Sequence, residues 1–359
     1  MPPTRHASPT DPLLVYGSYG YTGQLIAARA VERGLRPTLA GRDGDAVREQ
    51  AAELGVPHRV FGLDDPAAVD AGLAGMAVVL HCAGPFSRTS GPIADACLRT
   101  GTHYLDITGE IEVFEALAVR SAEAAAAGVM LLPGVGFDVV PSDCLAAHLH
   151  RRLPDATRLR LAIRGTGGIS RGTATTMVEN LHRGGAVREN GRIRRVPTAW
   201  KTREVDFGRG PRTAVTIPWG DVATAYHSTG IGNIEVYAAV PERVARLMRA
   251  TRPLAPLLAT APLQRLLRWW VRRGEAGPDE TARASGSSRV WGEVEDEQGN
   301  RAEARLRGPD GYTLTARTAV AAAERVLRGD APAGFQTPSL AYGPDWILDF
   351  DGVVREDVA

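Results

Sequence analysis

The sequence predicts an α/β fold: an N-terminal doubly wound parallel sheet, a second α+β domain, and a C-terminal helix that returns to the first domain. Three observations predict it. Short apolar runs alternate with helical stretches from residue 13 to residue 132. A glycine-rich turn follows the first of those runs. Beyond about residue 150 the alternation gives way to clustered β-like runs.

The elements follow in order. Leu13 to Tyr16 is a short apolar run closed by Gly17, which reads as a buried strand. GSYGYTG leads into QLIAARAVERG, with helical spacing and a stop at Gly34. Pro37 to Ala40 is a second strand, and a helix follows GRD to Leu54. His58 to Phe61 is a third strand, and Asp65 to Gly72 a short helix opening on an acidic turn. Ala77 to Cys82 is a fourth strand, and a helix is expected from Gly91 to Arg99. His103 to Ile107 is a fifth strand, Ile111 to Ala127 one continuous helix, and Val129 to Leu132 a sixth strand. Six strands with crossover helices make a parallel sheet, whose ligands bind beyond the carboxyl ends of the strands.

The remainder reads differently. Arg158 to Arg164 alternates as a strand, and residues 186–240 hold several β-like runs. Residues 241–273 read as helical with a break at Pro253 to Pro262, and 274–288 (GEAGPDETARASGSS) as a linker or exposed loop. Arg289 to Glu295 and Arg301 to Leu306 form a hairpin turning at QGN, and Tyr312 to Leu327 is an Ala-rich helix. The expected organisation is a flexible tail over 1–11, a nucleotide domain over 12–140, an α+β substrate or oligomerisation domain over 141–309, and a closing segment over 310–359 packed on the first domain.

Gly17, Gly20 and Gly23 form G-x-x-G-x-x-G between strand and helix. The first permits a tight turn, the second lets backbone approach a pyrophosphate, and the third lets helix pack closely on strand. Ser18, Tyr19, Tyr21 and Thr22 complete this cofactor loop. The second strand ends Ala40-Gly41-Arg42-Asp43. A guanidinium there suits the 2′-phosphate of NADP(H); a carboxylate would suit the 2′-hydroxyl of NAD. Arg42 stands first and favours NADP(H), with Asp43 as the opposing signal. Cys82, Ala83, Gly84, Pro85 and Phe86 follow the fourth strand, where small residues let the nicotinamide ribose lie against backbone.

Composition narrows the function. The 359 residues carry 42 basic and 41 acidic side chains, net +1, so no overall charge argues for nucleic acid. Three cysteines without CxxC disfavour disulfides and a thiolate zinc site, and point to a reducing cytoplasm. No metal is expected. The longest membrane-like stretch, residues 254–263, is interrupted by prolines and falls short of the ~20 residues a span needs. Lys201 is the one lysine in the chain, and the Tyr-x-x-x-Lys pair of short-chain dehydrogenases is absent.

Together GSYGYTG, AGRD, HCAGPFSRTSGPIADACLRTGTHYLDITGE and PGVGFDVVPSD resemble the saccharopine dehydrogenase-like oxidoreductases, nearest to the trans-acting enoyl reductases. The ending GYTLTARTAVAAAERVLRGDAPAGFQTPSLAYG is similar to that group's C-terminal part. The resemblance covers roughly 12–150 and 310–345. It implies an NADP-binding Rossmann domain and an α+β domain that closes over substrate. It also implies a substrate-facing aspartate at Asp106. Where saccharopine-forming reductases carry Cys-Gly, this chain has Val135-Gly136.

Asp106 and Tyr104 are therefore the expected catalytic residues, and Ser87, Arg88, Gly136, Phe137 and Asp138 the expected substrate contacts. The expected activity is NADP(H)-dependent reduction of an activated C=C bond on a small-molecule or carrier-bound intermediate. A saccharopine-type C=N reductase, with Arg164 or Arg171 gripping a carboxylate, and a non-catalytic NADP sensor are the alternatives. A homodimer is compatible with the β-rich second domain. Eight arginines lie between 183 and 212, as a solvated face or a dock for an acidic partner. Residues 264–273, QRLLRWWVRR, read as a core-packed helix with an Arg-rich outer face, or as a membrane-surface segment.

Overall fold

The computed structural model describes residues 12–166, 168–180, 183–258 and 260–358. The expected tail over 1–11 lies outside them. In chain order the first part runs β1 (Leu13–Tyr16), α1 (Tyr21–Glu32), β2 (Thr38–Gly41), α2 (Gly44–Leu54), β3 (His58–Val60), α3 (Pro66–Leu73), β4 (Val78–His81) and α4 (Phe86–Thr100). It continues β5 (His103–Asp106), α5 (Ile111–Ala118), α6 (Ser121–Ala126), β6 (Met130–Leu132) and α7 (Val140–Arg152). Then come β7 (Arg158–Gly165), α8 (Arg171–Asn180), β8 (Gly185–Glu189), β9 (Arg192–Val196), β10 (Thr202–Asp206), β11 (Pro211–Thr216), α9 (Asp221–Thr229) and β12 (Asn233–Ala239). The last part runs α10 (Glu242–Ala250), α11 (Ala255–Leu258), α12 (Ala261–Arg273), α13 (Glu280–Ser285), β13 (Ser287–Glu295), β14 (Arg301–Pro309), α14 (Gly311–Leu327), β15 (Gly334–Phe335), α15 (Pro338–Tyr342) and β16 (Val354–Val358).

The chain forms two compact units, and neither is contiguous. The first takes residues up to Thr108, Ala116–Gly136 and Thr315–Gln336; the second takes Gly109–Glu115, Phe137–Leu314 and the residues from Thr337 onward. The closing segment is thus divided. Residues 315–336 belong to the nucleotide unit, whereas 337–358 belong to the second and supply its edge strand β16.

The first unit is a seven-stranded parallel sheet in the order β15-β6-β5-β4-β1-β2-β3. β1 and β4 are wholly buried, as strands covered on both faces must be. Their adjacency marks the point where the strand order reverses, which is where such sheets bind ligands. The second unit is a mixed nine-stranded sheet with the path β10-β11-β12-β7-β13-β14-β16, and β8 and β9 attached beside β12. α7 covers one face: a Cβ on Gly292 would lie 2.6 Å from Leu149 Cδ1 and 3.2 Å from Leu145 Cδ2.

Several expectations need correction. α4 starts at Phe86, five residues before Gly91, and runs through Pro92. The single helix expected over 111–127 is two, parted around Arg120, whose guanidinium pairs with Asp95 at 2.6 Å and Glu123 at 2.9 Å. The two-residue seventh strand β15 has no counterpart in the sequence reading. Residues 274–288 hold α13, capped by Asp279, whose carboxylate accepts from Ala282 N at 2.7 Å. α12 does not bury its aromatics: Gln264 is buried, while Trp269 and Trp270 are 46% and 67% exposed. Among the described residues, no helix is long and apolar enough to cross a membrane, and no cluster of metal-ligating side chains occurs.

Candidate nucleotide site and its neighbours

The turn after β1 is built by three glycines with different duties. Gly17 has φ +75°, and a Cβ there would lie 2.7 Å from Ala83 Cβ and 2.9 Å from Ala83 N. It therefore meets both a left-handed backbone and the chain leaving β4. A Cβ on Gly23 would lie 2.3 Å from Gly17 O and 2.8 Å from Ser18 O, so only glycine lets α1 approach the turn. Gly20 caps α1 by backbone alone: Gly20 N donates to Gly17 O at 3.1 Å, and Gln24 N to Gly20 O at 2.8 Å. Neither a side-chain cap nor an acid occupies the first turn of α1. Its N-terminal dipole is left to a ligand, the arrangement that suits a phosphate. Ser18 is buried, and its Oγ has no hydrogen-bond partner among the described residues. Tyr21 and Thr22 are half-buried at the helix start.

At the end of β2 the two candidate side chains differ in their local engagement. Asp43 caps α2, its carboxylate accepting from Ala46 N at 3.2 Å. Arg42 is exposed and has no ion pair among the described residues. The acid is thus engaged in local structure and the guanidinium is available. Tyr19 lies over the strand end, so close that a Cβ on Gly41 would sit 2.4 Å from Tyr19 Cε1. Beneath it, Tyr16 donates to Phe61 O at 3.1 Å, and burial, with the neighbouring Tyr19, raises its phenol to about 12.

The loop after β4 is held by a buried histidine. Burial lowers the His81 imidazole to about 3, so the ring is neutral. Its Nε2 donates to Thr89 Oγ1 at 2.9 Å, and that hydroxyl donates to Ala83 O at 2.7 Å. His81 Nδ1 faces Ala83 N at 3.4 Å, and the Phe86 ring meets the imidazole edge-on at 5.1 Å between centroids. Gly84 is exposed, and the Gly84–Pro85 peptide is cis. Burial, then the Asp106 charge, pushes the Cys82 thiol upward, so it is not a thiolate. α4 has no side-chain cap and no acid in its first turn, which presents Ser87 and Arg88 exposed. The two helices flanking the reversal point, α1 and α4, therefore both leave their N-termini uncapped by side chains. α2 and α3 are each capped by an aspartate.

Tyr104 and Asp106, expected as catalytic residues, are fully buried. Asp106 accepts from Tyr104 Oη at 2.6 Å, Thr108 N at 2.9 Å and Gly134 N at 2.8 Å. Its carbonyl also accepts from Val135 N at 2.8 Å. A carboxylate with three donors ties the loop after β5 to the loop after β6. Asp106 and Tyr104 thus form one buried hydrogen-bonded pair at the carboxyl end of β5. Gly136 is fixed under α14: a Cβ there would lie 3.0 Å from Thr315 Cγ2, and Thr318 Oγ1 donates to Val135 O at 2.7 Å.

In the second unit, Phe137 packs against Gly311, whose Cβ would lie 2.9 Å from its ring. Asp138 is half-buried against Gly109, and burial raises its carboxyl to about 6. Sequence reasoning missed two carboxylates nearby in the fold. Asp143 accepts from Ser228 Oγ at 2.5 Å and Ser339 N at 2.7 Å; Asp221 accepts from Ser142 Oγ at 2.7 Å. Burial raises both. Asp143 sits in VPSD, within a quoted motif, but an aspartate near a helix start gives no sign that it will be buried.

The arginines between 183 and 212 are largely engaged. Arg183 and Arg195 pair with Glu112, Arg188 with Glu115, Arg194 with Glu189 and Arg203 with Glu293. Five of the eight are thus matched within the chain, which weakens the case for a dock there.

A parallel sheet whose first loop is a glycine cradle, with an available arginine past the second strand, defines a nucleotide-binding domain of NADP type. Residues 13–132 match the family model of the saccharopine dehydrogenase NADP binding domain. A trans-acting enoyl reductase of Mycobacterium leprae is 37% identical over 39% of this chain and 36% of its own length. A trans-acting enoyl reductase of Mycobacterium tuberculosis is 32% identical over 39% of this chain and 35% of its own. The chain thus matches about a third of the length of these relatives. Apo saccharopine dehydrogenase (L-Glu forming) from Saccharomyces cerevisiae superposes with a TM-score of 0.66 over 97% of this chain and 99% of its own, at 14% identity. The resemblance seen in the motifs, and the α/β class with its second mixed sheet, are borne out.

Proposed function

We propose that the protein is an NADP(H)-dependent oxidoreductase that reduces an activated C=C bond of a small or carrier-bound biosynthetic intermediate. The observation that carries this reading is the division of labour at the end of β2: Asp43 is engaged as a helix cap while Arg42 stands available beside the glycine turn. Names of the curated relatives support the enoyl assignment.

The residues fit the cofactor. Gly17, Gly20 and Gly23 clear space that side chains would fill, Ser18 offers an unmatched hydroxyl, and the α1 terminus carries neither a side-chain cap nor an acid in its first turn. Tyr19, Tyr21 and Thr22 shape the cradle. Arg42 holds the 2′-phosphate by charge-assisted hydrogen bonds. Cys82 to Phe86 present a small-residue backbone, fixed by the neutral His81 and Thr89. When bound, the cofactor supplies the hydride. Asp106 and Tyr104 keep the neighbouring loop ends in place. Ser87, Arg88 and Gly136 are assigned to the substrate side, and in the second unit Phe137 and Asp138 are assigned likewise. With its carboxyl near 6, Asp138 holds a proton in reach of neutral pH.

The test is a titration with NADPH and NADH, read by nicotinamide fluorescence, on wild type and Arg42→Ala. Losing a charged contact costs about 1.5–3 kcal/mol, or roughly 10- to 150-fold in NADPH affinity. NADH affinity and thermal stability stay unchanged, because Arg42 has no ion pair to lose. Equal affinity for both cofactors in wild type overturns the cofactor reading. Oxidation of NADPH by imines but not by enoyl thioesters overturns the C=C assignment.

A further inference from the structure

The face of the second sheet opposite α7 carries charged side chains in cross-strand rows, on either side of a buried cluster that includes Ala162, Trp291 and Phe207. In one row Arg160 on β7 faces Glu293 on β13, with Nη1 to Oε1 at 2.7 Å, and Arg203 adds to the same carboxylate at 2.9 Å. In the next, Arg158 faces Glu295 at 3.0 Å and Arg301 closes on it at 3.1 Å. Each arginine in these two rows has its acid. The row at the other end of the same strands breaks the pattern. Arg164 pairs in register with Arg289, and Arg289 with Arg307, so three arginines stand side by side on β7, β13 and β14. None of the three has an ion pair among the described residues.

Neighbouring strands lie about 4.8 Å apart, so the row spans roughly 10 Å. Like charges directly opposite in a sheet are destabilising. A fourth charge is close. The loop between β10 and β11 folds over the row, with Arg289 Nη1 donating to Phe207 O at 2.9 Å, and carries exposed Arg209. Burial, then the charges of Arg209, Arg164 and Arg307, holds the Arg289 guanidinium below its ordinary value, which shows that the four share one field.

We propose that Arg164, Arg289 and Arg307, with Arg209 above them, form an anion site for a phosphoryl group, distinct from the nucleotide cradle of the first unit. Arginine forks match phosphoryl oxygens bidentately, and a multiply charged oxyanion removes the repulsion that the row otherwise bears. The row is half-buried at Arg164 and Arg289 and open at Arg307, so an anion enters from one side. The phosphoryl group is either free or carried on a longer substrate arm; the site's chemistry is the same.

The test uses the full chain in an Arg42→Ala background, which removes the phosphate contact of the cofactor site. Calorimetric titration with inorganic pyrophosphate and with 4′-phosphopantetheine is compared before and after Arg164→Gln plus Arg307→Gln. Losing two charged contacts is expected to weaken binding by about 100-fold, while thermal stability without anion stays the same or rises. Tighter binding of phosphopantetheine than pyrophosphate assigns a carried group; equal binding assigns a free anion. No binding by the Arg42→Ala protein, or binding that the double substitution leaves intact, overturns the site. Lowered stability without anion makes the row structural and overturns it too. So does a sedimentation change showing that the row instead joins two copies of the chain.

Discussion

Asp138 gives a prediction whose sign and size both follow from its surroundings. Its carboxyl titrates near 6 in the fold, against an ordinary value of 3.8. Burial is the cause, so the folded state holds its proton more tightly than the unfolded chain does. Such a group lowers stability as pH rises through the window between the two values, and the loss is complete above about 6. At about 1.36 kcal/mol per unit, the full effect is roughly 3 kcal/mol. About 1 kcal/mol of it is already present near pH 4.5, leaving about 2 kcal/mol between there and about pH 7.5. Asp138→Asn cannot ionise. Its stability relative to wild type should therefore rise by about 2 kcal/mol over that interval, as measured by urea unfolding at each pH. Taking the difference cancels groups that do not feel the Asp138 charge, such as His81; Asp221, which burial and neighbouring charges including Asp138 raise, moves part of the way back with the substitution. Parallel stability curves for variant and wild type would refute the assignment of a buried, proton-holding carboxyl.

Three further perturbations test the architecture around the sites. Gly23→Ala places a methyl against Gly17 O and Ser18 O, backbone atoms that cannot rotate away. NADPH affinity should fall at least about tenfold with a stability cost of about 1–3 kcal/mol; unchanged binding by fluorescence titration would mean the turn is not the cradle. Asp106→Ala leaves Tyr104 Oη and two backbone N–H groups buried without their acceptor. It should cost about 3 kcal/mol or more in chemical unfolding, and a variant that loses turnover at full stability would assign Asp106 a catalytic role. Arg188, 4% exposed, donates to Val222 O at 2.8 Å, Gly191 O at 2.8 Å and Glu115 at 2.5 Å. Arg188→Met takes the donor from Val222 O and Gly191 O, while Glu115 keeps His227 at 3.4 Å; it should lower the melting midpoint by several degrees, about 2 kcal/mol, and a shift near zero would show that water already serves those carbonyls.

What is readable in the sequence has a local cause. The strands β1 to β6 and their helices are legible because burial on both faces writes continuous apolar runs, and because glycine turns end them. The cofactor loop is legible because a nucleotide cradle is made of consecutive residues. The errors fall where the deciding contact is distant. β15 has two residues, Gly334 and Phe335, and is a strand only because it pairs with Met130 and Leu131. The break at Arg120 carries no glycine or proline; ion pairs to Asp95 and Glu123 accompany it. For Asp106 the strand end on the ligand side of the sheet is legible, but the donors it meets, from another residue of its strand and from two loops, are not. One miss has a usable signal: Asp279 precedes Glu280, Thr281 and Ala282 as a helix cap would, inside a stretch whose glycines and serines suggest only a loop.

The interleaving of the two units bears on how the protein can be dissected. The chain passes from one unit to the other at residues 108/109, 115/116, 136/137, 314/315 and 336/337. A fragment ending near residue 136 keeps the glycine cradle and Arg42 but discards the helix that covers Gly136 and the strand that closes the sheet beyond β6. Its outermost strand would then offer bare N–H and C=O groups to any passing chain, an invitation to aggregate. The family-model match that stops at residue 132 therefore does not mark where a folding piece can be cut. A split protein, with 12–136 supplied alongside 315–336 as a separate peptide, is the smallest assembly expected to hold the nucleotide fold.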